Sequence, residues 1–185
     1  WEAVKARVKE GVRELAEQLL KVQAERASRP GHAFPPDAHM EGEFARAFPY
    51  DETPDQARAI EEVKGDMAAP HPMDRVVIGD VGFGKTEVAM RACLKCVVGL
   101  KQAAVLVPTT ILADQHYRTF LKRFAEYPVK LGMLSRFQTP AQQKKVLAEL
   151  GNGTLDIVIG TQRLLSPDVA FKELGLIVVD EEHRF

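Results

Sequence analysis

The chain is short of cysteine, with two in 185 residues, too few for a disulfide framework. Both fall in one C-x-x-C, Cys93 and Cys96. Redox pairs of that spacing sit at a helix N-terminus, whereas these fall about two turns inside a helical stretch. No further pair of zinc ligands stands nearby in the sequence, so the two are expected to be core thiols. A long hydrophobic run is also missing. No stretch approaches the roughly 18–20 apolar residues that span a bilayer, and no signal peptide pattern opens the chain, so a cytoplasmic setting is expected. Charge of one sign is missing too: 25 Lys and Arg balance 26 Asp and Glu for a net charge of −1. No global basic field advertises nucleic acid, although a local basic lobe remains compatible with DNA. Internal repeats and low-complexity segments are absent. What is left is ordinary globular composition, 45% hydrophobic and 28% charged, enough for one or two domains.

Within that plain background one string stands out: Gly79-Asp80-Val81-Gly82-Phe83-Gly84-Lys85-Thr86. It follows the apolar run Arg75-Val76-Val77-Ile78 and precedes an amphipathic segment, the strand, glycine loop and helix order of a phosphate-binding P-loop. Gly82 and Gly84 allow positive φ, so the loop can turn its N–H groups toward phosphate oxygens. The first turn of the following helix adds unpaired N–H groups and a positive dipole end. Lys85 has the reach to meet β- and γ-phosphates, and the Thr86 hydroxyl is a Mg²⁺ ligand candidate. A nucleoside triphosphate with Mg²⁺ is the expected ligand pair.

Along the chain, Val4, Val8, Val12, Leu15, Leu19 and Val22 recur at helical steps and predict one amphipathic helix over 1–27. The chain opens at Trp1 already inside that pattern, and a piece of something larger is expected. Residues 28–47 hold Pro30, Gly31, Pro35, Pro36 and Gly42, the composition of a linker, with one short helical turn expected around 43–47. Thr53 as N-cap and Pro54 at the first helical position predict a helix to about 66. Helices are then expected over 85–98, 111–124 and 140–150. Strands are expected at 75–78, 103–107, around 129–134, at 156–159 and at 176–179. Five apolar strands separated by helices predict an α/β fold with a parallel sheet covered on both faces, and ligands at the carboxyl ends of its strands. Residues 48–185 are read as this lobe.

The last strand runs Leu176-Ile177-Val178-Val179 into Asp180-Glu181-Glu182-His183. A strand places Asp180 at its carboxyl tip, able to hold Mg²⁺, with Glu181 placed to deprotonate an attacking water. Together with the P-loop these acids specify hydrolysis of a nucleoside triphosphate.

Gly79 to Thr86 and Asp180 to His183 resemble motifs I and II of the superfamily 2 helicases and translocases, which implies a RecA-like motor lobe. Thr53-Pro54-Asp55-Gln56 resembles the Q-motif of these enzymes. By that resemblance Gln56 reads the adenine edge, Phe48 stacks on the base, and His183 belongs to the motif that couples hydrolysis to movement. Val107-Pro108-Thr109-Thr110 through His116 resembles motif Ia, Ser135-Arg136-Phe137 lies where motif Ib falls, and Gly160-Thr161-Gln162 resembles the Gly-Thr motif. Thr109, Thr110, Arg136 and Thr161 are accordingly DNA-phosphate candidates.

Pro72-Met73-Asp74-Arg75, the Phe83 variant of the P-loop and Asp180-Glu181-Glu182-His183-Arg184-Phe185 are similar to the bacterial transcription-repair coupling factors. The fork-remodelling RecG helicases come close, but usually carry Ser where Phe83 stands and Gln where Glu182 stands. The resemblance implies a relay-like helix over 1–27 and a motor that moves on double-stranded DNA with ATP. It further implies that the intact protein displaces stalled RNA polymerase and recruits excision-repair proteins through regions outside this chain. Motif III and a second motor lobe lie outside it too, so little turnover is expected of the chain alone. A RecG-like fork-remodelling helicase or an RNA helicase lobe is the alternative, and a nucleotide-switched binding module without motor activity is the alternative of another class.

Overall fold

The computed structural model describes residues 1–80 and 82–184; the side chains of Glu2, Ala3, Ala6 and His183 are outside that description. In chain order the helices are α1 (Glu2–Ser28), α2 (His39–Arg46), α3 (Pro54–Ala68), α4 (Lys85–Val98), α5 (Thr110–Arg123) and α6 (Pro140–Asn152). The strands are β1 (Gln102–Leu106), β2 (Leu131–Leu134), β3 (Ile157–Gly160) and β4 (Leu174–Val179). Two short 3₁₀ turns, Gln162–Leu165 and Glu182–Arg184, follow β3 and β4.

The four strands form one sheet in the order β2-β3-β1-β4, with every pairing parallel. Parallel neighbours need crossovers, and helices supply them. Register pairs Ala103 with Ile157 and Leu106 with Val179, so all four carboxyl ends emerge along one edge. Successive side chains alternate between two cores. Ala103, Val105, Val107, Ile157 and Ile159 join α3, α4 and α5 on one face. Ala104, Leu106, Val158 and Leu134 meet α6 and Leu164 on the other.

Capping chemistry explains where the helices begin. Thr53 and Thr139 each accept a bond from the N–H three residues on, while the side-chain oxygens of Gln56 and Gln142 each accept one from the cap N–H. Pro54 and Pro140 follow at the first helical position. Gly153 ends α6 in the left-handed region, at φ 77°.

The expected strand at 75–78 is not in the sheet. Residues 75–78 belong to no helix and make no ladder; among the described residues β4 pairs with β1 alone. Val76 is 69% and Ile78 91% exposed, while Val77 packs partly on the core. An apolar run becomes a strand only when a neighbour supplies its ladder bonds. The sheet therefore has four described strands rather than five. Cover is also uneven, since Ile177 on β4 remains 58% exposed.

Residues 28–47, of linker composition, hold a two-turn helix, α2, longer than the single turn expected. Phe34 and Phe44 from this stretch are buried in the main core. Lys95 of α4, itself buried, donates to the Pro35 carbonyl at 2.8 Å and to Asp37 at 2.9 Å. Burial alone would raise the Asp37 carboxyl, but hydrogen bonds from Lys64 and Lys95 outweigh it and hold the group below its ordinary value. In contrast α1 is exposed along its apolar stripe, and an ion pair from Arg26 to Asp74 ties its last turn to the loop before residue 75. Cys93 and Cys96 are unpaired and buried; burial pushes both thiols up, Cys96 to about 12, which keeps them protonated in the core.

Candidate functional site

The loop after residue 78 turns as its glycines require. Gly82 has φ 87° and Gly84, the N-cap of α4, has φ 69°. Lys85 donates from Nζ to the carbonyl oxygens of Gly79 and Asp80, which fixes its ammonium across the mouth of the loop. Phe83 N–H closes a turn onto the Asp80 carbonyl at 3.3 Å. Val81 lies outside the described residues. The first-turn N–H groups of α4, including those of Lys85 and Thr86, have no carbonyl one turn earlier in the helix, which makes this end an anion seat.

Gln56 holds the loop from the side. Its Nε2 donates to the Phe83 carbonyl at 2.6 Å, while its Oε1 accepts from Thr53 N–H at 2.8 Å. A Cβ on Gly84 would meet that amide nitrogen at 2.4 Å and push the Gln56 side chain aside, while the φ of 69° is what favours glycine there. Gln56 and Phe83 line a cavity of about 460 Å³ together with Gly79, Asp80 and Lys85. Phe48 is not in that lining. The guanidiniums of Arg91 and Arg123 each lie 5.7 Å from its ring centroid, and the ring meets Tyr50 edge-on.

At the tip of β4, Asp180 N–H donates to the Leu106 carbonyl at 2.9 Å and so extends the pairing with β1 by one residue. The Asp180 carboxylate accepts from Glu181 N–H at 3.1 Å and contacts His116 Nε2 at 2.8 Å. The hydrogen bond with His116 holds the Asp180 carboxyl below its ordinary value; burial opposes this and the charge of Lys85 assists it. A carboxylate only accepts, so an ionised Asp180 takes this bond from the His116 tautomer with hydrogen on Nε2. Glu181 has φ 56°, one of two non-glycine residues in the left-handed region among those described. That conformation costs about 1–2 kcal/mol and collects at functional sites. Arg184 pairs with the Glu181 carboxylate at 3.6 Å.

Lys85, Thr86, Asp180 and Glu181 line one groove, of about 1140 Å³, between residues 75–80 and β4. The sequence places the two motifs nearly a hundred residues apart, and the packing of α4 on β1 and β4 brings them to the same groove. Among the described residues no group of three or more His, Cys, Asp or Glu could hold a metal by itself. Mg²⁺ takes one or two protein oxygens plus substrate phosphates, so a hydroxyl and an anionic carboxylate fit it.

The remaining candidates stand at the other carboxyl ends. Thr109 caps α5, its hydroxyl accepting from Leu112 N–H at 3.2 Å, and Thr110 opens the helix. Arg136 is exposed after β2, its guanidinium 5.5 Å from the centroid of Phe137. Thr161 follows β3 but is 9% exposed, so its hydroxyl offers little surface. Along the edge the order is Arg136, Thr161, Thr109 and Asp180, following the strand order.

Two features have no counterpart in the sequence reading. The first is His116 as the partner of Asp180. The second is a buried ionic cluster in which Glu87, on the first turn of α4, accepts from Arg91 at 3.0 Å and from Arg123 at 2.8 Å, with Arg91 also paired to Glu52. The available signal was spacing on α5: Ala113, His116, Phe120 and Arg123 recur at three and four residues and share its inward face.

The family profile for the DEAD/DEAH box helicases matches residues 53–185. The transcription-repair-coupling factor of Bacillus subtilis (strain 168) is 54% identical over 185 residues, covering 100% of this chain and 16% of that protein. The one from Escherichia coli (strain K12) is 52% identical with the same coverage. The chain thus spans 16% of the length of these relatives. A structure of RecG bound to a three-way DNA junction superimposes with a TM-score of 0.83 at 40% identity, over 89% of this chain and 23% of that one. A hypothetical ATP-dependent RNA helicase from Sulfolobus tokodaii gives a TM-score of 0.60 at 18% identity, over 79% of this chain and 42% of that one, a likeness of fold alone.

Proposed function

Since the chain belongs to the DEAD/DEAH box helicase family, we propose that it is the ATP-binding first lobe of a double-stranded DNA translocase of the transcription-repair coupling kind. The observation that carries this reading is the meeting of Lys85, Thr86, Asp180 and Glu181 on one groove at the carboxyl edge of a parallel sheet. Gly79, Asp80, Val81, Gly82, Phe83 and Gly84 supply the phosphate loop, with Lys85 offsetting phosphate charge. Thr86 and Asp180 hold Mg²⁺, which when bound neutralises charge on the β- and γ-phosphate oxygens. Glu181 orients the attacking water and accepts its proton. Gln56 faces the adenine edge from its place beside Phe83, and Phe48 is the stacking residue. His183, whose side chain is outside the described residues, is proposed as a coupling residue on the resemblance of its motif.

Thr109, Thr110, Arg136 and Thr161 form the DNA-phosphate row, positioning the duplex without reading its sequence. The division into a relay-like helix (1–27), a connecting arm (28–47) and the lobe (48–185) belongs to this proposal. So do release of stalled RNA polymerase, recruitment of excision-repair proteins through other regions of the longer protein, and a cytoplasmic setting. No helix among the described residues is long and apolar enough to cross a membrane. A RecG-like activity on branched DNA is the second reading, favoured by the 40% identity to the junction-bound structure. Polymerase release without junction unwinding separates the first from the second.

The test is a pair of substitutions in the full-length protein. Glu181→Gln keeps Mg²⁺-dependent ATP binding while hydrolysis falls by about 10²–10⁴-fold, because the amide preserves shape but accepts no proton. Asp180→Asn weakens the Mg²⁺-dependent binding itself. Titration with a fluorescent ATP analogue, alongside turnover, reads both. Loss of nucleotide affinity in Glu181→Gln as severe as in Asp180→Asn would contradict the division of roles.

A further inference from the structure

Helix α5 begins in the proposed DNA row and ends two turns past the residue that contacts Asp180. Its N-cap and first residue are Thr109 and Thr110. His116, two turns in and 13% exposed, makes the 2.8 Å bond to Asp180. Phe120, fully buried, fills the next position on the same face. Arg123, one turn further, donates to Glu87 Oε1 at 2.8 Å and Oε2 at 3.1 Å, in the first turn of the helix that follows the P-loop. One inward face of one helix therefore grips both halves of the nucleotide site. From Thr109 to His116 is about 10 Å along a stiff helix, so a phosphate seated at the N-terminus acts on the His116 bond through a rigid element.

We infer that α5 couples DNA binding to nucleotide binding, with His116 as the positioning residue that orients Asp180. This rests on the reading given under Proposed function. The Asp180 carboxylate has two oriented hydrogen bonds, one from the adjacent backbone and one from α5. Only the second reports where α5 stands. Outer partners of a metal-binding carboxylate typically matter by about 10–100-fold in metal affinity or activity. Arg123 and Glu87 keep the far end of α5 registered on α4, so that a movement of its N-terminus is delivered at His116 rather than absorbed.

The experiment measures binding and not turnover. In the full-length protein, the affinity for a non-hydrolysable ATP analogue with Mg²⁺ is titrated with and without duplex DNA, and DNA affinity is titrated with and without the analogue. Linkage requires the two ratios to be equal, and couplings of this kind run from roughly 5- to 150-fold. His116→Leu is expected to bring both ratios toward one. His116→Gln retains an N–H donor of similar reach and is expected to restore most of the coupling, while His116→Asn, one methylene shorter, is not. Arg118→Ala, on the exposed side of α5, is expected to leave the ratios at their wild-type value. Wild-type coupling in His116→Leu overturns the inference. If His116→Leu melts at a clearly lower temperature, the Gln and Asn variants decide, and equal coupling in those two overturns it. A wild-type protein that binds both ligands without mutual effect overturns the coupling alone, whereas one that binds no Mg²⁺–ATP analogue overturns the functional reading beneath it.

Discussion

The two sides of the sheet are built differently. On one side β1 and β3 are buried on both faces, each residue of β1 and β3 being covered. On the other, β4 shows Ile177 and Val179 to solvent, and residues 75–80 run beside it without ladder bonds. The covered side takes its geometry from packing and parallel register. The uncovered side takes it from single side chains: Lys85 across the Gly79 and Asp80 carbonyls, Gln56 on Phe83, and His116 on Asp180. The proposed nucleotide chemistry lies on the uncovered side, and the proposed DNA-phosphate row continues from it along the carboxyl ends of β1, β3 and β2. Stability is thus concentrated where the protein does no chemistry, and the reactive edge is held by bonds that ligands can exchange.

The largest stability effect that could break this contrast comes from paired substitutions. Ile157→Ala removes a fully buried side chain at the centre of the sheet and should cost about 2–5 kcal/mol. Ile177→Ala, at 58% exposure on β4, should stay within about 0.5 kcal/mol. Equal midpoint shifts in urea unfolding would erase the distinction between the two sides.

A smaller effect tests whether the arm over α4 belongs to the covered side. Asp37→Asn removes one charged partner of Lys95, whose side chain is 3% exposed. The expected loss is about 1–2 kcal/mol near neutral pH, modest because Asp37 itself keeps 39% exposure and a hydrogen bond to a charged group is the main term lost. The folded Asp37 carboxyl lies below its ordinary 3.8, so its contribution is complete above that value and disappears as pH falls through the folded value. Wild-type and Asp37→Asn stability should therefore converge in acid. A gap that persists unchanged below pH 3.8 would detach the arm's stability from this charge.

Much of this contrast was legible in the sequence. Threonine caps followed by Pro and Gln announce α3 and α6, and the glycines of the P-loop announce their own positive φ. The apolar runs of β1 and β3 become strands because neighbours on both sides complete them. The equally apolar run at 75–78 does not, since an apolar run shows a tendency toward burial but carries no address for its neighbour. The same limit hid His116 and Arg123. Their bonds to Asp180 and Glu87 span 64 and 36 positions and depend on how α5 crosses the sheet. Phe48 shows the same limit: the aromatic expected to stack on the base is outside the lining of the cavity beside Gln56, and its ring neighbours are two arginines that no local pattern pairs with it.

The smallest expected effect sharpens the edge order itself. Arg136 stands at the far end from Asp180, exposed, and its proposed phosphate contact releases counterions when DNA binds. Arg136→Ala in the full-length protein should flatten the slope of log affinity against log salt by about one, with no change in sequence preference. An unchanged slope on duplex DNA would return Arg136 to the solvated surface.

The most direct measurement for the central claim, that this edge is an ATP site, is nucleotide binding and DNA-stimulated hydrolysis by full-length Lys85→Ala. Lys85 is the only cation of the loop 79–86, and its ammonium already lies across the loop mouth. The account predicts loss of DNA-stimulated hydrolysis together with weakened binding of Mg²⁺–ATP. Wild-type turnover in Lys85→Ala would contradict it.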